Sequence, residues 1–220
     1  MDLMSFQGNI EAICPSCAGG FDAPVWSFVN GGRDAALRDQ AKAAECNMLL
    51  CPSCETAFLP EAAWIYYEPE AEILAFVFPP SYRKEEAKWC DKMKADFSAM
   101  RGGLGEALPV NHEPDIFFGP DGLAQLLELE DWRRDERDVM ACYAKELGLS
   151  IYRASPAWAR ENAAPSWLPY EGSRPTRQAL IAGIKTLVAA NDRLTVWSDY
   201  LGALLENPDA GLPPAALETH

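Results

Sequence analysis

The chain has 220 residues and a formal net charge of −14, from 33 Asp and Glu against 19 Lys and Arg. Without a basic cluster to neutralise phosphates, that balance argues against nucleic-acid partners and against anionic membrane surfaces. Hydrophobic residues make up 49%, and seven Trp, seven Tyr and nine Phe supply a core, so wholesale disorder is excluded and one domain with a large extension or two small domains fit.

Residues 1–10 show no basic n-region and no apolar h-region, so no signal peptide is read there and the expected location is cytoplasmic. The first motif follows at Ile13-Cys14-Pro15-Ser16-Cys17, continued by Ala18-Gly19-Gly20-Phe21. Val25-Trp26-Ser27-Phe28-Val29 predicts a strand, broken by Asn30-Gly31-Gly32. Asp34 is placed to cap a short Ala-rich helix reaching about Glu45. Asn47-Met48-Leu49-Leu50 then leads into a second copy of the motif, Cys51-Pro52-Ser53-Cys54. Beyond it, residues 63–67 and 73–78 flank Glu68-Pro69-Glu70 as a β-hairpin. The run 73–78 is the densest apolar stretch, but Pro79-Pro80 closes it far short of a bilayer span.

The rest is helical in pattern. Trp89, Met93, Phe97 and Met100 recur at spacings of four, four and three, one face of a helix over 81–100. The glycines of Arg101-Gly102-Gly103-Leu104-Gly105 are expected to end it and open a loop through Pro114 and Pro120. A helix from Asp121 carries Leu123, Leu126 and Leu127. A separate one over 131–147 carries Val139, Cys142, Tyr143 and Leu147, with Gly148 as its stop. Residues 155–175, with Pro156, Pro165, Pro169, Pro175, Trp158 and Trp167, read as a linker or a packed irregular arm. Leu180, Ile184, Leu187 and Val188 mark one amphipathic helix and Leu194, Trp197, Leu201 and Leu204 another, joined at Asn191-Asp192. The tail after Pro208 is expected to be loose.

The chemistry lies in the cysteines. Seven is an odd number, and four of the seven form two CxxC pairs, a pattern that favours metal over disulfides in a chain without an export signal. Structural zinc takes four ligands in a tetrahedron, and each CxxC turn can place two thiolates on one side of the ion. Thirty-three residues separate Cys17 from Cys51, room for a small subdomain. The expectation is one structural Zn²⁺ on Cys14, Cys17, Cys51 and Cys54. A redox CxxC needs a helix start to lower the thiol pKa, and neither motif runs into one.

The order of CPSC, Trp26-containing strand, short helix, Leu49-Leu50-CPSC, aromatic hairpin and Phe78-Pro79-Pro80 resembles the CpXC family of bacterial and archaeal proteins, over about residues 9–130. The resemblance implies the same four cysteines as the metal-binding set and brings no assigned biochemical activity with it. One departure concerns the turns. Zinc knuckles commonly carry Gly after the second Cys, where a positive φ is convenient, whereas this chain has Ala18 and Glu55 there.

The other candidates carry less. Cys46 is read as a small buried hydrophobe or as a fifth thiol near the metal, and Cys90 and Cys142 as core. His112, among Glu113, Pro114 and Asp115, is expected to hydrogen-bond within its loop. The run ELEDWRRDERD over 128–138 reads as a solvated face with i,i+4 pairs. No GxSxG, P-loop or GxGxxG occurs in the sequence.

The predicted fold is α+β: a zinc-ribbon-like β module with an inserted short helix over 1–118, then a helical region over 119–220. The expected function is a structural-zinc protein acting as an interaction or regulatory module, with a protein partner or a second copy on the helical region. Two alternatives stay open, an enzyme with its site between the zinc module and the helical region, and a zinc-linked thiol redox sensor.

Overall fold

A computed structural model describes residues 3–105, 108, 110 and 112–217. Glu106, Ala107, Pro109 and Asn111 of the expected loop, and the end of the expected loose tail with His220, lie outside the described residues. The fold is α+β, and the chain divides into two compact units, residues 1–128 and 129–220.

The first unit is built on a five-stranded sheet. Strands β1 (Phe6–Ile13), β2 (Gly20–Asn30), β5 (Trp64–Glu68), β6 (Ile73–Phe78) and β7 (Asp115–Phe118) lie side by side in that order. β1 and β2 pair antiparallel, as do β5 and β6, while β2–β5 and β6–β7 are parallel. Each parallel joint needs a long crossover. The first crossover holds helix α1 (Ala35–Lys42) and a two-stranded hairpin, β3 (Leu49–Leu50) with β4 (Ala57–Phe58). The second holds α2 (Glu86–Leu104).

All six residues of β6 are buried, as expected of a strand covered on both faces. On one face Val29, Tyr66, Ala75 and Val77 pack with Leu37 and Ala41 of α1 and with Leu123 and Leu127. On the other, Phe28, Tyr67 and Leu74 pack with Leu108 and Val110, and Phe76 and Phe78 pack with Met93 of α2. Asp34 caps α1 as expected, its carboxylate accepting from the Leu37 amide at 3.1 Å. A buried polar cluster joins α1 to the sheet. Arg38 Nε donates to both oxygens of Glu68 at 3.2 and 3.1 Å, and the Tyr66 hydroxyl donates to the same carboxylate at 2.6 Å. Gly31 makes this possible, because a Cβ there would stand 2.0 Å from the Tyr66 hydroxyl oxygen.

Several expectations need correction. α2 does not stop at Met100. It runs through Gly102 and Gly103 to Leu104 and ends at Gly105, whose φ is +51°. The two helices expected over 121–147 are one, α3 (Asp121–Glu146), because no Gly or Pro interrupts the chain between Gly122 and Gly148. Gly148, at φ +68°, follows its end. The charged run within it is not wholly solvated. Glu130 is buried and paired with Arg133 at 3.3 Å and Arg160 at 3.6 Å, and the Arg133–Glu130 and Arg134–Asp131 pairs are spaced i,i+3.

The second unit uses the rest of α3, a hairpin of β8 (Ser150–Arg153) and β9 (Trp167–Tyr170), and helices α4 (Pro156–Glu161), α5 (Arg177–Ala190) and α6 (Thr195–Glu206). The Pro-rich stretch is therefore structured: Pro156 sits in the first turn of α4, where a missing N–H costs nothing, and Ser155 caps that helix. Met140, Ala144, Leu168, Leu180, Ile184, Leu187, Trp197 and Leu204 form one core. Both expected apolar stripes are spent inside this unit. Trp197 is 1% exposed and its indole N–H donates to the Trp167 carbonyl at 2.8 Å. The tail is not loose up to Ala216. Tyr152 donates its hydroxyl to the Pro213 carbonyl at 2.6 Å, the Ser155 amide donates to the Pro214 carbonyl, and the Ala216 amide to the Arg153 carbonyl.

Candidate metal centre

Each CxxC motif is the turn of a β-hairpin. Ile13 pairs with Gly20 across the first turn and Leu50 with Ala57 across the second. The two turns repeat one hydrogen-bond pattern. The Cys14 amide donates to the Gly19 carbonyl at 3.0 Å and the Ala18 amide to the Cys14 carbonyl at 2.9 Å. In the second turn Cys51 donates to Thr56, and Glu55 to Cys51, at 2.9 Å each. The residue after each second cysteine takes the left-handed conformation even without glycine, Ala18 at φ +56° and Glu55 at φ +57°. For an L-residue this costs roughly 1–2 kcal/mol. Both turns therefore keep knuckle geometry against the local preference of their own residues.

The four sulfurs converge. Cys14 Sγ lies 3.6 Å from Cys54 Sγ, and Cys17 Sγ lies 3.6 Å from Cys51 Sγ. All four sulfurs lie within 4.8 Å of one another. A tetrahedron with Zn–S bonds of about 2.3 Å has edges of about 3.8 Å, so the spacing fits a four-thiolate metal site. None of the four is disulfide-bonded. Cys14 and Cys51, the first of each pair, are buried, while Cys17 and Cys54 are exposed.

Four thiols this close resist ionising together. At Cys17 the Gly19 backbone bond pulls the pKa down, but the neighbouring thiols of Cys51, Cys54 and Cys14 raise it, to about 12. Cys54 goes the other way, lowered to about 6 by the hydroxyl and then the backbone of Thr56. The Thr56 hydroxyl lies 3.3 Å from its sulfur.

What brings the two hairpins together is a residue that the motif does not include. Asn47 at φ +68° turns its amide onto β2, where its Oδ1 accepts from the Trp26 N–H at 2.6 Å and its Nδ2 donates to the Trp26 carbonyl at 2.9 Å. The side chain thus stands in for a strand and ties the approach to the second turn to the strand leaving the first. An edge contact between Phe21 and Phe58, with centroids 6.2 Å apart, adds a second tie. Asn tolerates the left-handed region and carries both a donor and an acceptor, the one sequence signal that marked position 47.

The remaining candidates separate from the site. Cys46 belongs to the apolar core, and burial pushes its thiol up to about 12 with a partial offset from the Asn47 backbone. Cys90 is half-buried, and Cys142 is exposed rather than core. His112 Nδ1 lies 2.8 Å from the Glu113 carbonyl, the local loop bond expected of it. Among the described residues, the four motif cysteines are the one group of His, Cys, Asp and Glu placed to hold a metal ion.

The model of the CpXC protein family matches residues 13–124, more than half of the chain, and the protein belongs to that family. Neither curated proteins nor solved structures provide a match. No helix is long and apolar enough to cross a membrane among the described residues.

Proposed function

We propose that this CpXC protein holds one Zn²⁺ on Cys14, Cys17, Cys51 and Cys54 as a structural ion, and works as a zinc-stapled module that associates with a second copy of itself. The observation that carries the metal reading is the convergence of four sulfurs from two equivalent hairpin turns. Zinc suits an all-thiolate tetrahedron, and four protein ligands leave no open position for water or substrate. The metal's contribution is then to hold two turns together. Metal analysis tests it: one zinc per chain is expected in the purified protein, and little in Cys17→Ser. Full retention in that variant would falsify the ligand assignment.

Self-association draws on α3 rather than on the two C-terminal stripes. Leu129, Trp132 and Val139 are 58%, 66% and 47% exposed, at spacings of three and seven that keep them on one helix face. Arg134, Asp135, Glu136 and Asp138 mix both charge signs along the same stretch. A face of that kind can pair with its own copy run antiparallel, each apolar residue meeting another. Light scattering is expected to give a dimer mass that falls to the monomer in Trp132→Asp. A monomer in both proteins would overturn the pairing and leave the zinc assignment untouched.

The exposure of Cys17 and Cys54 favours a second reading, a thiol sensor. Hydrogen peroxide would take two electrons from a facing thiolate pair, forming one disulfide and, with two protons, two waters, and releasing zinc. Zinc release that tracks peroxide and reverses with dithiothreitol and fresh Zn²⁺ is the expected signature.

A further inference from the structure

The second unit holds a cleft of about 160 Å³ beside the first part of its core. Glu130, Arg133 and Arg137 line one side from successive turns of α3, and Pro156, Ala159 and Trp197 help to form the others. The charges within it are unevenly satisfied. The buried carboxylate of Glu130 is already shared by Arg133 at 3.3 Å and Arg160 at 3.6 Å. Glu136, the other acid lining the cleft, is exposed and solvated. Arg137 is half-buried and rests over the Trp167 ring, its guanidinium carbon 5.7 Å from the centroid. It makes no hydrogen bond or ion pair within the described residues.

We infer that this cleft binds a small monocarboxylate with a short apolar stem, its carboxylate on the Arg137 guanidinium. A guanidinium that feels the Glu130 and Asp138 charges but hydrogen-bonds to neither leaves its donors open in a partly buried cleft, and its planar fork matches a carboxylate with two parallel bonds. With Glu130 shared by Arg133 and Arg160, and Glu136 exposed, Arg137 alone is left to meet an anion, which suits a single negative charge. A phosphate dianion would need Arg133 and Arg160, which Glu130 already holds. The alanine, proline and indole walls suit hydrocarbon. At about 30 Å³ per water, the space equals on the order of five waters, enough for a carboxylate and a few methylenes. Burial also works on Arg137 itself, lowering its pKa, against which the Glu130 charge acts to raise it. A bound anion would relieve the same desolvation.

The test is an NMR titration of the full-length protein with valerate, 1-pentanol and inorganic phosphate, following the tryptophan indole signals. Valerate is expected to give saturable shifts at millimolar concentrations, with pentanol and phosphate at least about tenfold weaker. Arg137→Gln should weaken valerate by about tenfold or more at an unchanged melting temperature, and Arg137→Lys should fall between the two. Should Arg137→Gln fail to fold, the lysine variant and the alcohol comparison decide. Absence of saturation, equal binding of pentanol, preference for phosphate, or full valerate affinity without Arg137 would each overturn the assignment.

Discussion

The knuckle turns and the second unit differ in what is available to hold them. In the two turns Pro15, Ser16, Cys17, Ala18, Pro52, Ser53, Cys54 and Glu55 are all exposed, so hydrophobic burial contributes little to their geometry. Each also carries a left-handed residue that works against the turn. In residues 129–220 Met140, Leu168, Leu180, Ile184, Leu187 and Trp197 are each 1% exposed or less, and no cysteine cluster is involved. The charge is divided as unevenly: residues 1–128 carry 20 acids against 9 bases, and residues 129–220 carry 13 against 10. The contrast is between turns whose only shared device is four converging thiols, to be cross-linked by the proposed zinc, and a unit with its own core, so each region should fail under a different insult.

The largest effect follows from taking the metal away. Structural zinc supplies on the order of 10–16 kcal/mol in finger-sized peptides, and nothing in the exposed turns replaces it. Chelation, or Cys51→Ser, is expected to speed amide exchange sharply through residues 13–58 while residues 129–220 keep their protection. Equal loosening of the two regions would break the comparison.

Trp197→Ala is the converse experiment. Truncating a buried Trp costs roughly 3–5 kcal/mol, and here the Trp167 carbonyl also loses its donor. The variant is expected to lower the melting of residues 129–220 with zinc content unchanged. Loss of metal along with that unit would show that the two are not separately held.

How much of this could be read from the chain depended on whether the signal was local. The paired motifs, the hairpin across Pro69 and the Asp34 cap each rest on a few adjacent residues, and each is present in the fold. β1 alternates Phe6, Gly8, Ile10 and Ala12, but it has no β-branched residue before Ile10, so no strand is read there from the sequence. Strands β3 and β4 have two residues each, too short for any period to show. The parallel joints of the sheet pair strands far apart in sequence, which no local pattern records. α3 reads as two helices in the sequence because its buried residues change face along its length: Leu123 and Leu127 serve one core, Met140 and Ala144 another. The cleft at Arg137 is legible only once four separate elements are in place.

Asn47 offers a smaller test of how the turns are brought together. Asn47→Ala removes both bonds to the Trp26 backbone, leaves that amide and carbonyl without these partners, and puts a less tolerant residue at φ +68°. The expected loss is about 1–3 kcal/mol. It should appear as weaker zinc retention against a chelator, because the clamp sets the distance between the ligand pairs. Asn47→Asp keeps the acceptor alone and should fall between the two. Unchanged zinc retention in Asn47→Ala would show that the cysteines find each other without the clamp.

The smallest effect is a gain. Ala18 and Glu55 hold φ values of +56° and +57°, which glycine adopts without a Cβ clash. Replacing either with Gly relieves roughly 1–2 kcal/mol of backbone strain, while the freer unfolded chain takes back about 0.5–1 kcal/mol. The net expectation is a stabilisation of about 0.5–1 kcal/mol at each position, close to equal because the two angles nearly match. Ala23→Gly supplies the control. Ala23 is buried in β2, so glycine there loses packing and strand preference together and should destabilise. Chemical denaturation of the zinc-loaded protein reads all three. Ala18→Gly and Glu55→Gly shifting the same way as Ala23→Gly would mean that the metal, and not the backbone angle, sets the cost of these turns.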